Sequence, residues 1–248
     1  LSPDTLSPYF YTAGVLFGAY FIRGISGFGS GLVAVPLLAL KFPLTFVVPV
    51  ILLMDFTASL VLGGFNRTQV AWPELRRLLL PGILGVVAGT FLLVSLPQKP
   101  MLIALGSFIA AYALRNLIFL GRKPRPVHPA WAWPAGLTGG TVSALFGTGG
   151  PPYVIYLSHR LFDKGTLRAT FSGLFLIEGA SRILMFILTG LLLSGAILKA
   201  WLMAMPVALV ALWAGSHVHS RMSNDQMLRL ISLILLASGG ALWVKAWS

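Results

Sequence analysis

Residues 25–31 read Ile-Ser-Gly-Phe-Gly-Ser-Gly (ISGFGSG), and they interrupt a stretch, residues 9–40, that is otherwise apolar enough to be membrane-spanning helix. Glycine weakens a helix interior by roughly 1 kcal/mol relative to alanine and leaves the backbone unshielded. A helical ladder opened at membrane depth exposes N–H and C=O groups that lipid cannot satisfy, so such backbone belongs inside protein or against a wet cavity. The stretch therefore predicts a break, and a use for it.

The surrounding composition is that of a membrane protein. Of the 248 residues, 57% are hydrophobic and only 10% charged, against about 25% charged in soluble domains; mean hydropathy is +0.87. Apolar runs at 46–64, 78–96, 101–120, 171–193, 200–215 and 228–244 each approach the roughly 20 residues that cross a hydrocarbon core. The fold class is all-α and polytopic. The first residues show no signal-peptide pattern, so none is expected. Cysteine is absent, which excludes disulfides and thiol chemistry. The histidines, His128, His159, His217 and His219, show no i, i+4 pair, so neither a metal nor another cofactor is expected. A net charge of +12 would suggest nucleic acid in a soluble protein. Here Lys and Arg gather in short loops beside spans, which marks cytoplasmic loops, and no basic stripe with interleaved aromatics exists. The expected partners are the lipid bilayer and a small anionic substrate, not nucleic acid.

The chain repeats itself. Phe28-Gly29-Ser30-Gly31 has a counterpart in Phe146-Gly147-Thr148-Gly149, Pro81 and Gly89 answer Pro206 and Gly215, and Asp55 falls opposite Glu178. The halves, 1–120 and 130–248, join through a basic, proline-rich linker at 121–129, GRKPRPVHP. Each half holds one glycine-broken segment followed by three spans. If that segment crossed once, the basic clusters would fall on both faces. If it is re-entrant, Arg67, Arg76, Arg77, Arg122, Lys123, Arg125, Arg160, Lys164, Arg168 and Arg221 share one face, leaving Lys41, Lys99, Lys199 and Lys245 on the other. An odd number of crossings then makes the second half an inverted copy of the first, with both termini non-cytoplasmic. Inverted repeats with broken helices are a common plan of secondary transporters.

After the first break the chain resumes as a short helix, residues 32–40; after the second, Pro151 and Pro152 suit a first helical turn. The N-terminus of each helix offers free donors and the positive end of a dipole, which favours an anion. The candidate substrate-binding residues are Gly27, Phe28, Gly29, Ser30 and Gly31, then Phe146, Gly147, Thr148, Gly149 and Gly150, with Arg23 and Arg182 supplying positive charge. Close helix packing is the competing reading of these glycines. Asp55 and Glu178 fit two roles, proton-coupling acids or partners of Arg23 and Arg182 in internal ion pairs. Ser26, Ser143 and Ser158 have no His or Lys spaced to activate them, which argues against an intramembrane enzyme. A passive anion channel and a carrier of small carboxylates remain as alternatives.

GISGFGSGLVAVPLL from Gly24 and ALFGTGGPPYVIYL from Ala144, at corresponding places in two halves, resemble the motifs of the sulfite exporter TauE/SafE family of membrane permeases. The likeness runs from the first break to the last span. It implies a bacterial inner-membrane permease for small sulfur-containing anions such as sulfite, sulfoacetate or other organosulfonates. The first half carries Phe28 and Ser30 where family members often have further glycines.

Overall fold

The computed structural model describes residues 3–26, 29–61, 67–121, 125–217 and 224–247. Among them the regular elements are all helical. Ten α-helices follow in order: α1 (Pro3–Ser26), α2 (Ser30–Ala39), α3 (Leu44–Val61), α4 (Trp72–Ser95), α5 (Gln98–Ile118), α6 (Ala132–Phe146), α7 (Gly150–Ser158), α8 (Lys164–Leu188), α9 (Gly195–His217) and α10 (Asn224–Trp247). Five of these are long and apolar enough to cross a membrane, within α4, α5, α8, α9 and α10. The chain is a multi-pass membrane protein.

Local chemistry sets the helix ends. Asp163 caps α8 by accepting the Thr166 amide at 2.7 Å, and that bond holds its carboxyl below the usual carboxylate range. Pro151 and Pro152 occupy the first turn of α7, where a missing N–H costs nothing. The run at 171–193, expected as one span, ends its α-helix at Leu188. Gly190 there adopts φ 79°, a left-handed conformation that stops the helix before a single 3-10 turn, Leu191–Leu193. The short helix expected from residue 32 begins two residues earlier, at Ser30.

Helices of one half pack largely on those of the other: α1 on α9, α6 on α4, α5 on α10 and α3 on α8. The first two contacts are made by small residues. Gly24 of α1 meets Gly215 and the Leu212 carbonyl of α9, while Gly85 and Gly89 of α4 meet the backbone of α6 around Thr141. Backbones can approach this closely only where side chains are absent or short.

Two sets of contacts define opposite ends of the bundle. At one, the Tyr11 hydroxyl of α1 donates to the Leu37 carbonyl at 2.7 Å, and Lys245 of α10 donates to the carbonyls of Ala39 and Leu40 at 2.9 Å each. Lys99 lies 4.7 Å from the Trp247 ring centre at the same end. Thus α2 turns back beside the start of α1. At the other end Glu74, at the start of α4, is buried and accepts from Arg77 at 2.8 Å, from Arg160 at 2.7 and 3.1 Å, and from the Tyr156 hydroxyl at 2.5 Å. Arg160 also donates to the Val127 carbonyl at 3.0 Å, and His159 contacts the Arg125 carbonyl at 2.6 Å. Here α7 turns back towards the start of α6.

Adding a side chain at the α1–α9 crossing tests this packing. A Cβ on Gly24 would lie 2.5 Å from the Leu212 oxygen and 2.8 Å from the Gly215 Cα, backbone atoms that cannot swing aside. Gly24→Val is expected to destabilise the protein by about 2 kcal/mol, read as a lowered midpoint in thermal unfolding of the detergent-purified chain.

Candidate functional site

The two breaks meet. Gly29, immediately before α2, has φ 97°, and Gly147, immediately after α6, has φ 65°; both are left-handed conformations that glycine adopts without strain. A Cβ on Gly31 would collide with the Gly147 carbonyl oxygen, so the two breaks touch backbone to backbone. Each therefore shields the other's opened ladder from lipid.

Between them lies a small cleft of about 70 Å³. The first half lines it with Arg23, Gly29, Ser30, Gly31 and Asp55, the second with Gly147, Thr148, Gly149, Gly150 and Arg182. The starts of α2 and α7 both open onto it, bringing two positive helix ends to one space. Phe146 lies in the packed core and Glu178 behind the cleft wall, so neither lines the space. Gly27 and Phe28 lie outside the described residues.

The structure also lines the cleft with Ser59, Tyr112 and Ser143, which the sequence does not single out as binding residues. Ser59 had a legible signal: it follows Asp55 by one helical turn. Tyr112 had none, since an isolated tyrosine in an apolar helix looks like core.

The two intramembrane arginines are held differently. Arg23 donates to Asp55 Oδ1 at 2.5 Å, to Ser30 Oγ at 3.0 Å, to Ser59 Oγ at 2.7 Å and to the Asp55 carbonyl at 3.2 Å. The same Asp55 oxygen accepts the hydroxyls of Tyr20 and Ser30, each at 2.7 Å. Three donors, one of them charged, thus converge on one carboxylate oxygen. Arg182 donates to the Ser143 carbonyl at 3.0 Å, and its Nε stands 3.7 Å from Glu178, too far for a hydrogen bond. Arg23 Nε, Arg182 Nε, Thr148 Oγ1 and both carboxylate oxygens of Glu178 are buried without a hydrogen-bond partner. Arg23 is thus held by four hydrogen bonds and Arg182 by one.

A multi-pass helical bundle with a cleft between two helix breaks has the architecture of a membrane transporter. A family model for the sulfite exporter TauE/SafE matches residues 12–242, and the chain belongs to that family. It is accordingly a membrane transporter and not an enzyme. The chain is also similar to the "Probable inner membrane transporter protein TsaS" of Comamonas testosteroni, 28% identical over 200 residues that cover 79% of this chain and 82% of that protein. No solved structure matches.

Removing one member of a buried ion pair strands the other, at a cost of about 3 kcal/mol or more, whereas replacing both with apolar groups is often close to neutral. Asp55→Asn is therefore expected to lower the unfolding midpoint sharply, and Arg23→Leu combined with Asp55→Leu to recover much of the loss. Differential scanning fluorimetry of the purified variants reads both effects.

Proposed function

We propose that this protein carries a small sulfur-containing anion, such as sulfite, sulfoacetate or a related organosulfonate, across the inner membrane by alternating access of two inverted repeats. One observation carries the binding site: Thr148 Oγ1 and Arg182 Nε are buried without partners beside a cleft onto which two helix N-termini open. Unpaired buried donors cost free energy unless something accepts from them. An oxyanion supplies several acceptors and the negative charge that the helix ends and Arg182 favour. In this reading Gly27 to Gly31 and Gly147 to Gly150 cradle the oxygens and Arg182 balances their charge. Arg23 acts through Ser30, and protons are coupled through Asp55 or Glu178.

Alternating access draws support from the paired packing of α1 on α9 and α6 on α4, and from the opposite ends to which α2 and α7 return. An inverted repeat with an even total of spans places both termini outside the cytoplasm. Family membership favours a sulfur anion over a carboxylate. Helix ends alone recognise charge rather than the central atom.

Calorimetric titration of the purified chain with sulfite, sulfoacetate, sulfate and acetate tests the substrate class. Saturable binding of sulfite or sulfoacetate in preference to acetate is expected, and preference for acetate overturns the assignment. Thr148→Ala is expected to weaken that binding roughly tenfold, the loss of one charge-assisted hydrogen bond. Ser30→Ala, whose hydroxyl already serves Asp55 and Arg23, is expected to weaken it less. Counterflow in proteoliposomes is expected, and a carrier shows it where a channel does not. Cysteines added at the termini should react with an impermeant thiol reagent applied from outside intact cells.

A further inference from the structure

We propose that the anion and a proton bind together, and that Glu178 is the group that takes the proton because Arg182 is shared between Glu178 and the anion. The inference rests on the anion site proposed above and chooses between its two acids.

Asp55 is unsuited to the task. Its Oδ1 holds Arg23, Tyr20 and Ser30 at once, and Arg23 in turn is fixed by Ser59 and by the Asp55 carbonyl. An anion entering the cleft would have to break several of these bonds before Asp55 lost its countercharge. Nothing comparable restrains Glu178. It is 2% exposed, and neither carboxylate oxygen has a hydrogen bond. Its charged neighbour is Arg182, one turn along the same helix, at 3.7 Å.

The other elements around Glu178 do not replace that charge. From α6 it is faced by Ser143 and from α7 by Tyr153, both uncharged. From α4 come Leu78, Leu79, Gly82 and Ile83, all apolar. On the α3 side Phe56 packs against the adjacent Gly179, and the acid of that helix, Asp55, is committed to Arg23. Among the described residues Arg182 is therefore the charged group paired with Glu178, at a loose 3.7 Å.

Arg182 lines the cleft, whereas Glu178 stands behind it. An oxyanion beside Thr148 accepts from the guanidinium on the cleft side and draws its charge away from Glu178. A buried carboxylate that loses its countercharge favours the protonated state. The step balances simply: one anion and one proton enter, Glu178 gains an O–H bond, and Arg182 exchanges its carboxylate for the substrate. By linkage, each ligand then tightens the binding of the other. On this scheme the empty carrier returns with the Glu178–Arg182 pair restored, and transport is anion–proton symport.

The test measures protons directly. Sulfoacetate is titrated into the detergent-purified full chain between about pH 6 and pH 8, where its carboxylate is already ionised. Two buffers of different ionisation enthalpy are used, so that the difference in heat counts protons. About one proton taken up per anion is expected, with affinity falling about tenfold per unit rise in pH where Glu178 starts ionised. Glu178→Gln should bind sulfoacetate with no proton uptake, while Glu178→Asp should retain uptake. Difference infrared spectroscopy of the unaltered protein needs no variant to fold: a protonated carboxyl band should appear when sulfoacetate is added. Saturable binding without uptake or band, or uptake that persists in Glu178→Gln, overturns the inference and leaves the anion site standing. If neither sulfoacetate nor sulfite binds, the site itself falls and this inference with it.

Discussion

Lipid offers no hydrogen bonds, and everything notable about this bundle follows from how it treats two places where the backbone needs them. A continuous helix satisfies its own amides, but α1 and α6 each stop and are followed by a short helix running back. The solution is mutual: Gly31 sits against the Gly147 carbonyl, so each break is covered by the other. Both helix starts open onto the cleft beside that contact, and Thr148 Oγ1 and Arg182 Nε lie next to it without a hydrogen bond. The site is what remains when two breaks are packed together without being filled.

The pseudo-equivalent halves are chemically unequal at that point. Arg23 and Asp55 form a densely bonded network joined by Ser30, Ser59 and Tyr20, which suits a part that holds its shape. Arg182 and Glu178 form a loose pair with unused capacity, which suits a part that changes partners.

Much of this was legible because membranes make sequence patterns strict. The two glycine clusters, the short helices after them and the prolines of α7 all announce themselves against an apolar background. The Arg23–Asp55 pair was also visible as an option, since charges within spans need partners. The partners that stayed hidden are long-range and polar. Glu74 looks like an ordinary i, i+3 companion of Arg77 at the edge of a span, whereas its decisive partner, Arg160, lies 86 residues away. The chain has only six acidic residues, so each was worth questioning, but one-dimensional spacing cannot say which arginine answers. Tyr112 and Tyr20 were concealed for a simpler reason: an aromatic in a helix reads as packing until a polar neighbour is seen.

Lys245 near the end of the chain donates to the last carbonyls of α2, near its beginning. The first turned-back helix therefore lacks this cap until the final helix has been synthesised and inserted. The same delay applies to α1, whose glycine seam waits for α9. Packing of α1 and α2 must then be completed by later helices, and a ribosome that stalls before α10 leaves α2 with its terminal carbonyls still seeking a donor. A break synthesised ahead of the helices that cover it is, in the order of biogenesis, among the last parts to be secured.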